Sequence, residues 1–339
     1  MNLEKNIIEQ ILKNFAKCPQ HQNNFFESDS EIIKLGDSNY LITVDSYSNE
    51  DNFRRGNPYL LGSNLTVCTL SDIFACGGRP ILFCNSLAYE KTWDENYIDQ
   101  FAKGINSVLE QCYTGFIGGD IGLSHRWSYT GVAIGTGDKI ITRKGASEGD
   151  SIYITGDIGR GNFEAATNII TDFKSLNELY NITPIAFPIR LNEAQLVSKY
   201  ASSCIDTSDG LMRSLRIISE INQTGFEIND IPYFEAGILL TQMLELPKEM
   251  LMIGESGEYE LLFTVPRKSE SKMIKEAFTN KLQIKRIGSV KTEGIQALLN
   301  NGIKIDISDF DIWARNYNEH LDYIKDLSKY ISNKMGVCK

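Results

Sequence analysis

The sequence predicts an α+β protein of the α/β type with two domains, and three observations support this. The chain has 339 residues, and a domain usually holds about 100–200. Strand-like apolar segments alternate with segments of helical periodicity in both halves. A turn-rich hinge, Gly-Ala-Ser-Glu-Gly-Asp, interrupts the pattern at 145–150. We therefore place an N-terminal domain at 1–147, a C-terminal domain at 148–317 and an appended helical tail at 318–339.

Each half is built from short elements in alternation. The chain opens with an amphipathic helix, in which Leu3, Ile7, Ile11 and Phe15 recur at helical spacing. The remaining elements follow in order. In the first half, strands are predicted at 40–44, 81–88 and 129–137, and helices at 59–77 and 95–112. In the second half, strands are predicted at 151–155, 203–205 and 260–265, and helices at 162–172, 192–201 and 210–222.

Composition and charge exclude several classes of protein. Apolar residues make up 42% and charged residues 23%, which suits a folded chain with a sizeable core. The net charge is −10, from 34 basic and 44 acidic residues. A duplex nucleic-acid binder needs a basic face, so nucleic acid is not an expected partner. A phosphate ligand is still possible, because bound Mg²⁺ can supply positive charge.

Cysteine, histidine and apolar patterns predict the compartment. Seven cysteines occur without a Cys-x-x-Cys pair, and only three histidines are present, far apart. This disfavours a disulfide framework or a zinc site and fits a reducing compartment. The N-terminus does not resemble a signal peptide, and no apolar run approaches 18 residues. We therefore expect a cytoplasmic protein with no membrane partner.

The main chemical signal is a set of aspartates beside small residues, in what we interpret as loops at strand ends. They are Asp37, Asp45, Asp72, Asp120, Asp206 and Asp209. One such aspartate is usually a helix cap or turn residue. If several converge, however, their mutual repulsion requires a cation. Oxygen ligands without histidine or cysteine favour Mg²⁺ over zinc.

Two loops leave alternatives open. In Ile-Asp-Thr-Ser-Asp-Gly-Leu, at 205–211, either Ser208 or Asp209 caps the following helix, which leaves another acidic side chain free to bind metal. The glycine-rich segment 155–161 lies between a strand and a helix. Its amides can approach a phosphate at the helix N-terminus, but an ordinary turn explains the glycines equally well.

Three other residues have both an ordinary and a functional interpretation. Arg143 is either a surface arginine or a contact to phosphate or nucleotide. Trp313 either packs in the core or stacks on an aromatic ligand. Glu260 alternates with apolar neighbours in Glu-Leu-Leu-Phe-Thr-Val, so we interpret it as structural.

The motifs, taken in order, resemble those of thiamine-monophosphate kinase. The resemblance extends to the superfamily of aminoimidazole ribonucleotide synthetase, selenophosphate synthetase and hydrogenase maturation protein E. It runs from about residue 31 to about 315. The matching segments are GDS (36–38), TVDS (43–46), NLTVCTLSDIFACGGRP (64–80), FIGGD (116–120), ITRKGASEGDSIYITGDIG (141–159), FPIR (187–190), IDTSDGL (205–211) and GEYELLFTVP (257–266).

The resemblance implies a fold and an activity. The N-terminal sheet would pair with a second subunit into a barrel, which makes a homodimer. The C-terminal half would be an α+β layer, with ATP in the cleft between the halves and Mg²⁺ on the aspartate loops. ATP would donate its γ-phosphoryl group directly to the phosphate of a small metabolite, such as thiamine monophosphate. Such a transfer depends mainly on positioning and charge neutralisation.

The resemblance also assigns site residues. It implies contacts to ATP by Gly119, Asp120, Arg143 and Ser208, and catalytic roles for Asp120 and Asp209. The implied metal ligands are Asp37, Thr43, Asp45, Asp72, Asp120, Asp206 and Asp209. The implied substrate contacts are Asn52, Glu258 and Trp313.

The chain also departs from the family pattern. Gly-Asp-Asp becomes Gly-Asp-Ser at 36–38, and an expected histidine after the Val-Asp-Ser loop is absent. Near the substrate, Gly257 stands in place of a glutamate and Glu258 in place of an aspartate. These changes predict retained ATP binding with weak or absent activity on thiamine monophosphate. The alternatives are another ATP-dependent synthetase or ligase of the superfamily, and a catalytically impaired ATP-binding paralogue.

Overall fold

The computed structural model describes residues 2–16, 18–49, 57–169, 178, 185–300 and 302–335. It is a mixed α+β fold with two separate β-sheets, one in each half of the chain, as the sequence predicts. The first sheet stays open in the single chain, so a barrel would require a second copy. The domain boundaries at 147 and 317 stay predictions.

The first half holds a five-stranded sheet with three helices. Its strand order is β1-β2-β5-β3-β4. Neighbouring strands are antiparallel except for β3 and β4, which run parallel because α3 crosses over between them. The elements are α1 Asn2–Leu12, β1 Glu31–Leu35, β2 Ser38–Ser48, α2 Pro58–Ala75, β3 Arg79–Glu90, α3 Glu95–Gln111, β4 Gly115–Ser124 and β5 Ser128–Thr136.

The second half holds a seven-stranded sheet. Its strand order is β12-β11-β8-β10-β6-β9-β7, with β8 and β11 parallel and the other pairs antiparallel. The strands are β6 Ser151–Thr155, β7 Ser203–Asp206, β8 Thr224–Ile228, β9 Leu261–Val265, β10 Ile284–Thr292, β11 Gln296–Asn300 and β12 Ile303–Asp306. The helices are α4 Arg160–Ile169, α5 Leu191–Tyr200, α6 Leu211–Asn222, α7 Glu235–Met243, α8 Met250–Ile253, α9 Arg267–Thr279 and α10 His320–Met335.

Helix α2 joins the two halves. It begins at an Asn57 N-cap with proline in its first turn and is buried on nearly all sides. It contacts β2, β3 and β5 of the first sheet and also β7 and β9 of the second. Its Asn64 side chain bonds the backbone carbonyl of Ile185 and the amide of Phe187, both at 3.0 Å. Residues on this helix therefore lie where the two sheets meet.

Several predicted boundaries need correction. Asp72 lies inside α2, Asp45 inside β2, and Gly119 with Asp120 inside β4, so none of these four is in a loop. The sequence did not reveal β1, whose alternation is too short. The predicted tail helix is present as α10 within the described residues. Among those residues, no helix has both the length and the apolar character needed to cross a membrane.

Candidate active site

Carboxylates from three separate segments meet between the two sheets. Asp29 lies in the loop before β1, Asp72 lies near the end of α2, and Asp206 is the last residue of β7. Each offers an oxygen atom, and these atoms all lie within 4.8 Å of one another. We call these three residues the acidic cluster. Because it draws on both halves, its geometry depends on how α2 and β7 pack.

Hydroxyl groups orient the acidic cluster. The Ser71 hydroxyl donates to Asp206 Oδ2 at 2.5 Å, and the Ser208 hydroxyl donates to Asp206 Oδ1 at 2.8 Å. On the other side, the Thr43 hydroxyl of β2 donates to Asp72. Two consecutive residues of α2 thus belong to the same site, since Ser71 bonds the Asp206 carboxylate and Asp72 provides a second carboxylate.

A single arginine partly neutralises the cluster. Arg143 donates to Asp29 Oδ1 from Nη2 at 2.8 Å and from Nε at 3.3 Å. The negative charge of Asp29 raises the pKa of this guanidinium, although burial opposes the effect. The other oxygen of Asp29, Oδ2, is buried and has no hydrogen-bond partner among the described residues. One buried carboxylate oxygen is therefore left over in the cluster.

The carboxylates destabilise one another's ionised forms. Burial, together with the charges of Asp206 and Asp29, raises the pKa of Asp45 to about 7. Burial is also the largest cause of the shift at Asp206, whose pKa is about 6, and Asp29 adds to it. Burial and the neighbouring carboxylates hold the pKa of Asp72 well above its ordinary value. A cation would relieve this repulsion.

The donor set fits a divalent cation that prefers oxygen. The cluster offers carboxylate and hydroxyl oxygens, a carboxylate oxygen without a partner and carboxyl groups with raised pKa values. Mg²⁺ is bound by one or a few carboxylates and substrate phosphates in sites of this chemistry.

A cavity of about 740 Å³ opens beside the cluster, among helices of the second half. Ser208, which bonds Asp206, lines it. The walls include the apolar side chains of Phe187, Leu240 and Leu251. Among the described lining residues the charged side chains are all carboxylates, with His320 as a further titratable group. The four carboxylates belong to Glu164, Asp209, Glu255 and Glu319.

Tyr259 lies between the cluster and the cavity. It lines the cavity and is almost fully buried, with its ring 4.8 Å from that of Phe187. Burial is the largest cause of its raised pKa, and the charges of Asp45 and Asp206 contribute. Its φ of 54° is unusual for a bulky residue, and such backbone strain concentrates at functional sites.

Known proteins resemble the chain over most of its length. The model of the N-terminal domain of AIR synthase related proteins matches residues 27–137. Thiamine-monophosphate kinase of Pyrococcus horikoshii is 28% identical over 78% of this chain and 83% of its own. The thiamine-monophosphate kinase of Buchnera aphidicola from Acyrthosiphon pisum is 30% identical over 81% of this chain and 87% of its own.

The chain belongs to the thiamine-monophosphate kinase family.

Solved structures agree on the fold. AaThiL complexed with AMPPCP and TMP superposes with a TM-score of 0.72 at 22% identity, over 90% of this chain and 96% of that one. Escherichia coli HypE, a hydrogenase maturation protein, superposes with a TM-score of 0.65 at 15% identity, over 90% and 97%. At these identities the likeness establishes the shared two-domain architecture.

The structure does not place Asp37, a predicted metal ligand, in the acidic cluster. Asp37 is exposed at the tight β1–β2 turn, where Leu35 pairs with Ser38. Asp45 lies eight residue steps further along the extended chain, about 26 Å at about 3.3 Å per residue. Asp29, which was not among the predicted ligands, lies in the acidic cluster. The available signal was an aspartate between two serines just before the apolar pair of β1.

Gly119 and Asp120 lie away from the cluster. They are on β4, an edge strand, three strands from β2 in the sheet. Cross-strand residue pairs link Asp45 of β2, through β5 and β3, to Gly119 of β4, so these two residues share a face of the sheet. Because successive residues of a strand point to opposite faces, Asp120 points to the face opposite Asp45. Within one chain Asp120 does not meet the cluster, and its role at the metal or ATP stays a prediction.

The loop before α6 contributes one cluster ligand. Asp206 joins the cluster, whereas Asp209 is half-exposed and forms an ion pair with Arg213 at 2.9 Å. Neither Ser208 nor Asp209 caps α6, because the N-cap is Gly210, with φ of 84°. The Ser208 hydroxyl instead bonds Asp206. Catalytic and metal roles for Asp209 therefore lack the predicted geometry.

Glu258, a predicted substrate contact, is turned into the protein. It is buried, and its Oε2 accepts hydrogen bonds from the amides of Arg160 at 2.8 Å and Gly161 at 3.2 Å, at the start of α4. The glycine-rich loop thus binds an internal carboxylate where a phosphate was one interpretation. Glu260 is structural as predicted, since both its oxygens bond Arg190.

The two remaining substrate residues do not define a site. Trp313 does not line the cavity; its Nε1 donates to Asp311, and its ring packs edge-on against Phe310 at 5.1 Å. This supports the packing interpretation over ligand stacking. Asn52 lies outside the described residues. Arg143, expected at the nucleotide, bonds Asp29 of the acidic cluster, and its contact with ATP stays a prediction.

Proposed function

We propose that the chain transfers the γ-phosphoryl group of ATP to the phosphate of thiamine monophosphate. The observation that carries the proposal is the acidic cluster joined to the cavity through Ser208. Membership of the thiamine-monophosphate kinase family supports the reaction type. A phosphate oxygen of the acceptor forms a new bond to the γ-phosphorus of ATP. The bond between the γ-phosphorus and the oxygen that bridges the β- and γ-phosphates breaks, and ADP leaves with that oxygen.

We assign Mg²⁺ to the acidic cluster. Asp29, Asp72 and Asp206 would hold it, and it would supply the positive charge that lets two phosphate-bearing ligands approach. The chain's own residues prepare the site. Ser71 and Thr43 fix the carboxylate orientations, and Arg143 keeps Asp29 in place and limits the negative charge of the cluster.

The cavity is the proposed binding site for the body of the acceptor. Glu255 lines it and is held by the Ala314 amide and by Arg213 at 3.3 Å. It is therefore the best-placed acidic group for the role that the family pattern gives to a glutamate near the substrate. A side chain at Gly257 does not fit, since its Cβ would lie 2.7 Å from the Ser208 carbonyl oxygen.

Gly257 also favours a second candidate function. If Glu255 does not replace the missing glutamate, the acceptor is a different phosphate monoester, with the same nucleotide chemistry. The weak activity on thiamine monophosphate predicted from this loop remains a prediction, and an assay decides between the two functions.

A homodimer is part of the proposal. The edge strand β4 exposes apolar side chains, with Phe116 at 54%, Ile121 at 63% and Leu123 at 55%. An apolar edge of this kind invites pairing with another chain. Light scattering at micromolar concentration should give the mass of two chains, and a monomer mass would contradict the proposal.

The decisive experiment is a steady-state assay with ATP, Mg²⁺ and thiamine monophosphate. We expect formation of thiamine diphosphate and ADP in equal amounts, lost when EDTA replaces Mg²⁺. Glu255→Gln is expected to raise the KM for thiamine monophosphate more than the KM for ATP. Turnover with another phosphate monoester alone would establish the second candidate, and an absence of phosphoryl transfer to any acceptor would contradict both.

A further inference from the structure

Arg213 lies behind the wall of the cavity and contacts two of its carboxylates. It is the third residue of α6, and its side chain is 7% exposed. Its Nε lies 2.9 Å from Asp209 Oδ2 in the loop before the helix, and its Nη1 donates to Glu255 Oε1 at 3.3 Å. Asp209 and Glu255 both line the cavity, whereas Arg213 does not. The arginine therefore acts on the cavity through its two partners.

The two partners have different surroundings. The Asp209 side chain is half-exposed, while that of Glu255 is largely buried and also accepts a hydrogen bond from the Ala314 amide. Arg315 is a second cation near Glu255, at 3.9 Å. Two carboxylates on one wall repel each other, and a guanidinium between them offsets that repulsion. A buried guanidinium in turn requires charged partners, so the three groups depend on one another.

The shape of the guanidinium allows one side chain to hold both carboxylates. Two of its nitrogens face two segments of the chain that are 42 residues apart, so Asp209 and Glu255 are fixed relative to each other. A lysine would keep the positive charge, but it carries a single nitrogen on a flexible stem and lacks the rigid fork. Loss of the fork should therefore release one of the two carboxylates while the charge behind the wall stays the same.

The fixed pair contributes to the chemistry of the cavity. The described lining residues include four carboxylates, among them Asp209 and Glu255, and no lysine or arginine. Apolar side chains in the walls suit an apolar ligand body, and the carboxylates favour positive charge on that body. The positions of Asp209 and Glu255 then decide where on the body the positive charge must lie.

We propose that Arg213 is a positioning residue for the acceptor. By holding Asp209 and Glu255 in one arrangement, it makes the cavity selective for a phosphate monoester whose apolar body carries positive charge. This rests on the proposed function, because the acceptor must enter the cavity with its phosphate toward the acidic cluster. Arg213 then serves the body of the acceptor, while the cluster and its hydroxyl groups serve the phosphates.

Arg216 provides a matched control on the same helix. One turn after Arg213, its guanidinium bonds the backbone carbonyls of Phe310 at 2.7 Å and Ile307 at 3.2 Å. None of these three residues lines the cavity. Arg216 therefore connects α6 to the segment before α10, and its replacement should affect the fold without affecting the acceptor.

The test compares Arg213→Lys with Arg216→Lys. Both keep the charge and remove one guanidinium from α6, but only the first releases a carboxylate of the cavity. We expect Arg213→Lys to raise the KM for thiamine monophosphate about 3- to 10-fold, with the KM for ATP changed less than about twofold. Arg216→Lys should lower the Tm and leave both KM values within about twofold.

Two further variants test whether Arg213 acts through its partners. Asp209→Asn leaves the buried arginine in place and alters a half-exposed side chain, so it should fold and raise the same KM. In the double variant of Arg213→Lys with Glu255→Gln, the two effects share one cause. Its KM for thiamine monophosphate should therefore rise by less than the product of the two single fold-changes.

The outcomes separate this inference from the proposed function. Inactivity of the unaltered protein with thiamine monophosphate overturns the proposed function, and the inference with it. Activity in the unaltered protein with an unchanged KM in Arg213→Lys or in Asp209→Asn overturns the inference alone. Equal rises of both KM values in Arg213→Lys would mean that the arginine only supports the fold, which also overturns it. Fold-changes that multiply in the double variant would show that Arg213 does not act through Glu255.

Discussion

At the scale of single residues, Asp29 has two unequal oxygens. Oδ1 bonds Arg143, while Oδ2 is buried without a partner among the described residues. The arginine therefore holds the carboxylate in place without satisfying it. This arrangement leaves one oxygen for a cation, and it is the feature that most distinguishes Asp29 from an ordinary ion-pair residue.

Asp29→Asn and Asp37→Asn form a matched pair of substitutions. We expect Asp29→Asn to lower kcat about 100-fold or more, since a charged ligand is lost from the phosphate site. Asp37→Asn should change kcat by less than about twofold, because Asp37 lies at an exposed turn. Turnover in Mg²⁺ and ATP checks both. Equal losses in the two variants would restore Asp37 as a ligand.

Glu258 makes the stability of the folded protein fall as the pH rises. Burial raises its pKa to about 8, despite the amides that bond it. The folded state therefore favours the protonated form of Glu258. The contribution of this residue to the free energy of unfolding is full below about pH 4.5 and is lost as the pH rises through about 8. Glu258→Gln keeps one oxygen for both amides and cannot ionise, so we expect its free energy of unfolding to fall less between about pH 6 and about pH 9.

Denaturant unfolding in EDTA at several pH values measures this difference. It should amount to a few kcal/mol at about pH 9. Parallel pH curves for the variant and the unaltered protein would mean that Glu258 is ionised throughout this range.

Residue type alone could identify some of these roles and not others. Asp72 and Asp206 were predicted ligands and do converge in the acidic cluster, and Glu260 was predicted to be structural. Near β1 the sequence pattern selected Asp37, which lies outside the cluster, over Asp29, because the Gly-Asp-Ser motif matched the family pattern and the strand before it was not recognised. The inward orientation of Glu258 depends on the α4 amides of Arg160 and Gly161, about 100 residues earlier, which no local pattern reveals.

At the scale of elements, helices α2 and α3 pack through glycines. A Cβ at Gly62 would lie 2.1 Å from the Phe101 carbonyl oxygen, and one at Gly104 would lie 2.0 Å from the Tyr59 carbonyl oxygen. Each glycine therefore lets one helix touch the backbone of the other. This close contact sets the spacing between α3 and α2, the helix that carries Asp72.

Gly62→Ala tests the importance of this contact. We expect it to destabilise the protein by about 1–3 kcal/mol or more, because a backbone carbonyl cannot move as a side chain can. The higher helix propensity of alanine offsets part of this. Gly115→Ala is the control, since its Cβ would lie 3.7 Å from the nearest atoms. Equal urea midpoints for the two variants would show that α2 and α3 can separate without cost.

Periodicity predicted most elements of the first half, because a long amphipathic helix such as α3 gives a strong signal. It missed β1 and the extension of β4 through the Gly-Gly-Asp motif. Between residues 224 and 306 it found β9 but missed the other four described strands and the three described helices. Strands β1, β8, β11 and β12 are short, and β4 is exposed on both faces, so these strands lack the alternation that marks a half-buried strand.

At the scale of the whole molecule, the acidic cluster links the two halves. Asp29 and Asp72 come from the first half and Asp206 from the second. A cation bound by all three therefore favours the docked arrangement. Neither half contains the site alone, which explains why local sequence patterns could suggest the ligands but could not show that they converge.

Mg²⁺ should therefore raise the Tm of the free protein. At 100 times its Kd, a ligand specific for the folded state adds about 2.7 kcal/mol. We expect Asp206→Asn to abolish the Mg²⁺-dependent shift and Asp209→Asn to retain it, because Asp209 pairs with Arg213 outside the cluster. Differential scanning calorimetry with Mg²⁺ or EDTA measures both. Loss of the shift in Asp209→Asn alone would place the metal at the cavity mouth.

The burial of α2 also bears on how the chain folds. The helix completes its packing only when strands of both sheets surround it, and its Asn64 side chain bonds backbone groups of the second half. A fragment ending at the hinge would expose apolar α2 surface to water and leave a buried amide without partners. We therefore expect one cooperative unfolding transition for the two halves together, and aggregation of the isolated N-terminal fragment.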